Sequence, residues 1–557
     1  MNKQWQKDLI VYQIYPRSFR DGNGDGKGDI EGVIEKVDYL QSLGVNAVWF
    51  SPLYCSPNVD YGYDISDYKR INPEYGTLEQ FDEMVKLLHA RKIRVIMDLV
   101  INHTSNEHMW FKESQKSVDN PYRDYYYWRK GKGNKPPNNW TGFFSEKAWE
   151  YDKNTDMWYM HLFAKNQPDL NYGNPKVIEE IKSVLKFWLD RSVDGFRCDV
   201  ITLLSKTVGL PNGKNSIALV GKEHYVDGNS IHELLLQLKQ VMDEYDCFTV
   251  GEGVLIDTTK ALTYIENNEK QQLNAVFTFE HMNADNHFGI KYLMSKMRYR
   301  KLKRTLGRWQ TELYGKAINT IYFENHDQPR AVGRFCSDST YADKGAKMIA
   351  VMEMGLTGIP FIYEGQEIAM TSIKMQDLSQ YKDVECLNMY KMMRKLRFSQ
   401  KYVMRAIAYA SRDNARTPMQ WNDSENAGFG GKPWISINPN YKEINVENQE
   451  KDANSVLNFY RKLIAIRKSN GAMKYGEYKE YFPLSSKVYV YTKTYEKEKV
   501  LIVINFTSKS VSFKLPKEIR YQSRKVLINN YVGKENYENS YKLRPYEATI
   551  YSIVNND

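Results

Sequence analysis

The chain predicts an α/β fold: a (β/α)8 TIM barrel with a small domain inserted after strand 3 and a C-terminal antiparallel β-sandwich. Three observations carry this reading. Strand-like and helix-like segments alternate from the N-terminus, as in a parallel sheet built from crossover units. Short apolar runs end abruptly in a carboxylate at Asp98, Asp199, Glu252 and Asp327. Beyond about residue 479 the helical period gives way to short alternating strands. A buried strand keeps a charge only where the charge is used or paired. Four acid-ended strands therefore mark one rim, the C-terminal face of the barrel, where active sites of that fold lie.

Taken in order, the strands fall at 9–15, 45–50, 93–100, the run ending at Asp199, 247–252, 275–279, 318–323 and 359–363. Apolar residues at 30, 33, 34, 37, 40 and 43 have helical spacing, with Gly44 as the stop. Further helices are expected at 78–90, 177–189, 231–245 and 456–467. The alternation breaks at 104–172, a polar, aromatic and turn-rich stretch too long for a βα loop, so it forms an inserted domain. The barrel occupies 1–103 and 173–478, with a polar excursion at 366–450 after strand eight, and the sandwich occupies 479–557.

The 557 residues suffice for two or three domains, and 42% hydrophobic with 26% charged residues is normal for a globular protein. No apolar run approaches the roughly 20 residues of a membrane span. The N-terminus carries no apolar signal core, and five scattered cysteines fit neither a disulfide framework nor zinc, so a cytoplasmic location is expected. The net charge of +10 is spread among many acids rather than concentrated on one face, which excludes nucleic acid as the expected partner. With 42 Tyr, 22 Phe and 11 Trp the chain is rich in rings that stack on the apolar faces of sugars. A monomer acting on a small oligosaccharide, with no membrane partner and no organic cofactor, is the expectation.

Oxygen side chains recur at alternate positions in Asp21, Asn23 and Asp25, followed by Asp29. Lys27 stands where an EF-hand loop offers a backbone carbonyl and Gly26 where it turns sharply, while Gly32 replaces the final bidentate Glu. A structural Ca²⁺ held by Asp21, Asn23, Asp25, Lys27 and Asp29 is expected, since alternating carboxylates repel one another without a cation. The same residues also read as a glycine-rich turn with Asp29 capping the next helix.

The rim acids have the chemistry for cleaving a glycosidic bond, in which one carboxylate attacks while a protonated one supplies the leaving oxygen with its proton. Arg197 stands two residues before Asp199 on the same strand face and is expected to keep it ionised. Glu252 has no cation beside it in sequence, an environment compatible with a protonated acid. His326 and Asp327 form a donor–acceptor pair suited to sugar hydroxyls.

Asp98-Leu-Val-Ile-Asn102-His103, Gly195-Phe196-Arg197-Cys198-Asp199, Val250-Gly251-Glu252 and Glu324-Asn325-His326-Asp327 resemble the four ordered regions of the α-amylase superfamily, glycoside hydrolase family 13. Gln13-Ile-Tyr-Pro16 extends the resemblance toward the N-terminus. Gly62-Tyr63-Asp64-Ile65, Gln167-Pro168-Asp169-Leu170-Asn171 and residues 415–421 are most similar to its oligo-1,6-glucosidase and α-glucosidase branch. The resemblance implies Asp199 as nucleophile, Glu252 as general acid/base and Asp327 as the third carboxylate, in a retaining mechanism. It also implies that Asp64 and Arg416 grip a terminal glucose, that Tyr63 and Phe163 flank its ring, and that His103, His326 and Gln167 meet its hydroxyls. Asp98 is expected to order the rim through Arg197.

Val200, after the nucleophile, matches members preferring α-1,6 bonds, although a methyl-sized difference discriminates only about 10–200-fold. The alternatives are an α-1,4-glucosidase or sucrase of the same family, or a trehalose-6-phosphate hydrolase using Lys206, Lys214 and Lys222 for phosphate. Glu364-Gly365-Gln366-Glu367, Cys198 and Gly253-Val254 depart from the usual family residues without removing a catalytic group. Residues 280–285 lack the arginine-rich loop of sucrose isomerases, and the intact acids disfavour a non-catalytic transporter subunit.

Overall fold

Eight short, almost wholly buried segments form the barrel: β1 (Val11–Ile14), β2 (Ala47–Phe50), β3 (Arg94–Leu99), β4 (Gly195–Cys198), β5 (Phe248–Gly253), β6 (Ala275–Thr278), β7 (Thr320–Ile321) and β8 (Ile359–Tyr363). Strands covered on both faces read as continuous apolar runs, as these do. They join in one sheet in the order β6-β5-β4-β3-β2-β1-β8-β7, that of a nearly closed eight-stranded barrel. The computed structural model describes all residues except 1–3, 145, 146, 217, 337, 338, 520, 534–539 and 555–557. Among the described residues no helix is long and apolar enough to cross a membrane.

Helices fill the connections: α1 (Ile30–Glu35), α2 (Val37–Leu43), α3 (Leu78–Ala90), α4 (Pro175–Leu189), α5 (Ile231–Asp243), α6 (Thr258–Ile265), α7 (Tyr299–Leu313), α8 (Ala342–Gly355) and α9 (Val456–Ser469). The single helix expected over 30–43 breaks at Lys36 (φ −108°, ψ 9°), whose N–H closes tight turns onto Val33 and Ile34. Gly44 ends α2 in the left-handed conformation, as its position predicts. Thr77 and Gln80 close a capping box on α3.

The chain divides into two compact units. The first comprises 49–278 and 383–398. It holds β3 to β6 and the inserted domain, whose three antiparallel strands run in the order Trp128–Arg129, Met157–Met160, Trp149–Asp152. The apolar core of that domain (Trp140, Trp149, Met160, Leu162) also takes in Val200 and Leu203 from the segment after β4. Packing of the inserted domain therefore positions the chain next to Asp199.

The second unit comprises 2–48, 279–382 and 399–557. In it a five-stranded antiparallel sheet runs in the order Glu477–Tyr481, Val488–Tyr495, Glu498–Asn505, Ala548–Val554, Ser523–Asn529. A two-stranded ribbon, Val511–Lys514 with Ser540–Leu543, faces it across Val490, Val503, Tyr541, Leu543 and Tyr551, completing the sandwich. The expectation of strands at 488–492, 500–506, 511–515 and 548–553 omits three of these, Glu477–Tyr481, Ser523–Asn529 and Ser540–Leu543. Ser523–Asn529 is largely exposed, with Val526 42% accessible, so its burial pattern lacks the alternation that marks a strand.

Arg467 on α9 donates to the carbonyls of Leu356 (2.9 Å), Met473 (3.0 Å), Gly358 (2.5 Å) and Met354. It thereby satisfies carbonyls at the end of α8 that have no helical partner. Arg467→Met keeps the apolar stem and orphans these buried acceptors, at a cost of roughly 3 kcal/mol. Thermal melting should show a clearly lowered midpoint with kcat unchanged.

Candidate active site

Strand register builds the first half of the site. β3 pairs with β4 so that Asp98 lies opposite Arg197, and β4 pairs with β5 so that Val250 lies opposite Arg197. Asp98, Asp199 and Glu252 thus end neighbouring strands around one guanidinium. Arg197 Nη1 donates to Asp98 (2.8 Å) and Asp199 (2.6 Å), and Nη2 donates to Glu252 (2.7 Å). Glu252 therefore does have a cation beside it, contrary to the expectation from its neighbours in sequence, because the charge arrives from the adjacent strand.

Burial would weaken the Arg197 charge, but Asp98, Glu252 and Asp199 more than offset it. Burial pushes the Asp199 carboxyl well above the usual carboxylate range; Arg197 opposes this, and Glu252 and Asp98 add to it. Arg197 alone therefore does not secure an ionised Asp199, as the sequence had implied. One positive charge faces three carboxyls, so the cluster accommodates a proton. Side-chain exposure is 8% at Asp199 and 9% at Glu252 but 0% at Asp98, so only the first two retain any contact with solvent. Asp98 instead bonds Arg197, Tyr63 Oη (2.9 Å) and Trp49 Nε1 (3.3 Å).

Val200 has φ 36° and ψ 41°, a left-handed conformation that costs a β-branched residue about 1–3 kcal/mol. The turn aims its N–H at Glu252 Oε2 (3.0 Å). Its side chain is buried in the inserted-domain core, where Phe143, Phe163 and Val254 pack at the edge. Phe163 stacks on Phe143 (5.1 Å, 12°) and meets His103 at 5.1 Å.

Asp64 departs from its expected role. Its oxygens accept from Ser56 Oγ (2.9 Å), Val59 N–H (2.9 Å) and Asp60 N–H (3.0 Å), so it pins its own loop. Burial nonetheless raises its pKa to about 6. The carboxylate beside Gln167 is that of Asp60, 3.3 Å from Nε2, a residue the sequence reading passed over. The Gly62-Tyr63-Asp64 motif thus points to an aspartate whose oxygens its own loop consumes. Gln167 also reaches the Tyr63 carbonyl (3.2 Å), as does His103 Nε2 (3.0 Å). Lys206, expected to serve phosphate in the trehalose-6-phosphate hydrolase alternative, is instead buried in an ion pair with Asp169 (2.7 Å). Lys214 and Lys222 are exposed.

The second unit holds another cluster. Asp327 accepts from Arg416 Nη2 (2.9 Å) and Arg412 Nη1 (3.4 Å) and lies 3.1 Å from His326 Nε2. Burial would raise its carboxyl, but His326, Arg412 and Arg416 hold it well below the usual carboxylate range. Gln13 Nε2 lies 2.8 Å from His326 Nδ1, and Tyr15 stacks on the same ring. Arg416 Nε anchors to the His326 carbonyl (3.0 Å). Arg412 was absent from the sequence assignment; its place four residues before Arg416 is the signal that could have found it.

The 21–29 loop, also in the second unit, folds on its own carboxylates. Asp21 accepts from Gly24 (2.7 Å), Gly26 (2.9 Å) and Gly431 (2.7 Å) N–H groups. Asp29 accepts from Asn23 (3.1 Å) and Gly32 (2.7 Å) and caps α1, one of the two readings of the sequence. Asn23 and Asp25 take the N–H groups of Asp25 and Lys27. Gly26 makes the turn with φ 90°. Among the described residues no group of three or more His, Cys, Asp or Glu side chains is arranged to hold a metal ion.

Comparison with known proteins agrees with this chemistry. The family model "Alpha amylase, catalytic domain" matches residues 13–476, and "Alpha-amylase SusG C-terminal domain" matches 488–550. The chain is 48% identical to an oligo-1,6-glucosidase of Parageobacillus thermoglucosidasius, covering 99% of this chain and 100% of that protein. It is 46% identical to an oligo-1,6-glucosidase of Bacillus cereus, covering 99% and 100%. A crystal structure of Bacillus licheniformis trehalose-6-phosphate hydrolase superposes with a TM-score of 0.93 at 40% identity, covering 99% and 100%. With the barrel, the acid-ended strands and these matches in place, the chain belongs to the alpha-amylase family of glycoside hydrolases, glycoside hydrolase family 13.

Proposed function

We propose that this glycoside hydrolase is an exo-acting, retaining α-glucosidase. It releases glucose from the non-reducing end of short α-glucosides and prefers α-1,6 linkages, as in isomaltose, isomalto-oligosaccharides and panose. The observation that carries the proposal is the Arg197 cluster, which places Asp199 and Glu252 on adjacent strand ends and leaves both accessible. The oligo-1,6-glucosidase relatives supply the substrate class.

In the proposed mechanism Asp199 attacks the anomeric carbon as the glycosidic bond breaks, and Glu252 gives its proton to the departing oxygen. A covalent glucosyl ester on Asp199 results. Glu252, now a carboxylate, takes a proton from water, and the water oxygen displaces Asp199 with overall retention. The Val200 N–H holds Glu252 Oε2 in place through both steps. Asp327, kept ionised by its three cationic or donor neighbours, accepts from glucose hydroxyls. His326, Arg416, Gln167, His103 and Asp60 complete hydroxyl recognition, with Tyr63 and Phe163 beside the ring. Val200 is proposed as the linkage determinant.

The proposal extends to a monomeric, cytoplasmic enzyme with no organic cofactor and no nucleic-acid or membrane partner. It also takes the 21–29 loop as a structural Ca²⁺ site formed by Asp21, Asn23, Asp25, Asp29 and the Lys27 carbonyl. The support is the oxygen spacing and the turn at Gly26. No catalytic step passes through the ion.

Glucose release from isomaltose, maltose, sucrose and trehalose-6-phosphate at equal concentration tests the substrate. Isomaltose should be cleaved well ahead of maltose and sucrose; activity on trehalose-6-phosphate alone would move the protein to the phosphate-recognising branch. Chelation of divalent ions should lower the thermal midpoint, with calcium found by elemental analysis. An unchanged melting curve on metal-free protein would leave the loop as a self-bonded turn.

A further inference from the structure

A buried polar chain runs behind the first cluster. Lys206 Nζ donates to Asp169 Oδ2 (2.7 Å) and to Asn102 Oδ1 (2.9 Å). The Asn102 amide nitrogen reaches Asp169 Oδ2 (3.2 Å) and His103 Nδ1 (3.1 Å). His103 Nε2 lies 3.0 Å from the Tyr63 carbonyl, and Tyr63 Oη donates to Asp98, which bonds Arg197. The Lys206 and Asp169 side chains have no solvent exposure, and Asn102 and His103 are buried.

Lys206 fixes the direction of bonding at one end of this chain, and the Tyr63 carbonyl, which can only accept, agrees with it at the other. An ammonium has only donors, so it can face only the oxygen of the Asn102 amide. With the oxygen fixed on Lys206, the NH₂ must point at Asp169 and His103. An NH₂ facing Nδ1 requires Nδ1 to be the unprotonated, accepting nitrogen. The imidazole proton then sits on Nε2, where the Tyr63 carbonyl accepts it; the Gln167 NH₂, 3.2 Å from the same nitrogen, has Tyr63 O and Asp60 Oδ2 as its own acceptors.

We propose that Lys206 is a positioning residue: by fixing the orientation of the Asn102 amide it selects the Nε2–H tautomer of His103. The inference rests on the proposed function for its catalytic consequence, but its structural claim does not require a substrate. Asp169 contributes by keeping the ammonium in place, with its other oxygen held by the Leu162 N–H (2.9 Å). The loop after the nucleophile strand, the inserted domain and the end of β3 thereby agree on one proton position.

The test uses the full-length protein labelled with ¹⁵N-histidine, with the His103 signal assigned by its loss in His103→Gln. Wild type should show His103 neutral and protonated at Nε2. Asn102→Asp retains an acceptor for Lys206 but cannot donate to Nδ1, so Nδ1 should become protonated. The variant should lose about ten-fold in kcat/KM, mostly through KM, with little change in thermal midpoint. Lys206→Met frees the amide and should give a mixture of tautomers, with a similar loss per folded molecule. If it fails to fold, Asn102→Asp alone decides the matter.

A wild-type Nδ1–H tautomer, or an Nε2–H tautomer unchanged in Asn102→Asp, overturns the inference. So does a tautomer shift that leaves kcat/KM unaffected. If no α-glucoside is cleaved while the tautomers behave as described, the proposed function fails and the positioning role of Lys206 stands.

Discussion

The first unit depends on one buried guanidinium. Arg197 is only 3% exposed in its side chain, yet it bonds Asp98, Asp199 and Glu252 from three neighbouring strands. A charge taken out of water is stable only if its partners replace the lost solvation, and removing one partner of such a group costs about 3–5 kcal/mol. Arg197 is held from the side by the rings of Trp49 and Tyr63, at 5.2 and 6.0 Å. The strand ends are therefore locked in register by the same contacts that arrange the acids. Stability and reactivity here rest on a single set of bonds.

That arrangement also governs the protons. Burial and two neighbouring carboxyls push Asp199 upward while Arg197 pulls it down. Asp327 stands apart: surrounded by His326, Arg412 and Arg416, it stays a carboxylate throughout. Asp199 and Asp327, two acids of one chemical type, are thus pushed in opposite directions by their surroundings.

The barrel was legible because its strands are buried on both faces and its helices carry caps that sequence displays, such as Thr77 with Gln80 and Gly44 after Leu43. The acids at Asp199, Glu252 and Asp327 were legible because a charge at the end of an apolar run conflicts with burial unless it is used. What escaped were relations across strands and turns. Arg197 serves Glu252 from an adjacent strand, which no spacing along the chain reveals. That Asp64 is held by the Val59 and Asp60 N–H groups is a property of the folded loop that the motif does not display. The left-handed turn at Val200 breaks the preference of a β-branched residue, so propensity points away from it. Lys206 looked like one more loop lysine because Asp169, its partner, is 37 positions away in sequence.

The central claim is that Asp199 is the atom-bearing nucleophile of a retaining hydrolase, made available by the Arg197 cluster. A slowly turned-over fluoroglucoside, followed by intact-mass measurement and peptide mapping, addresses this directly. The account predicts one glucosyl-type adduct per chain, on the peptide containing Asp199 and borne by that carboxyl. An adduct on another acid, or complete inhibition with no covalent mass gain, would contradict it.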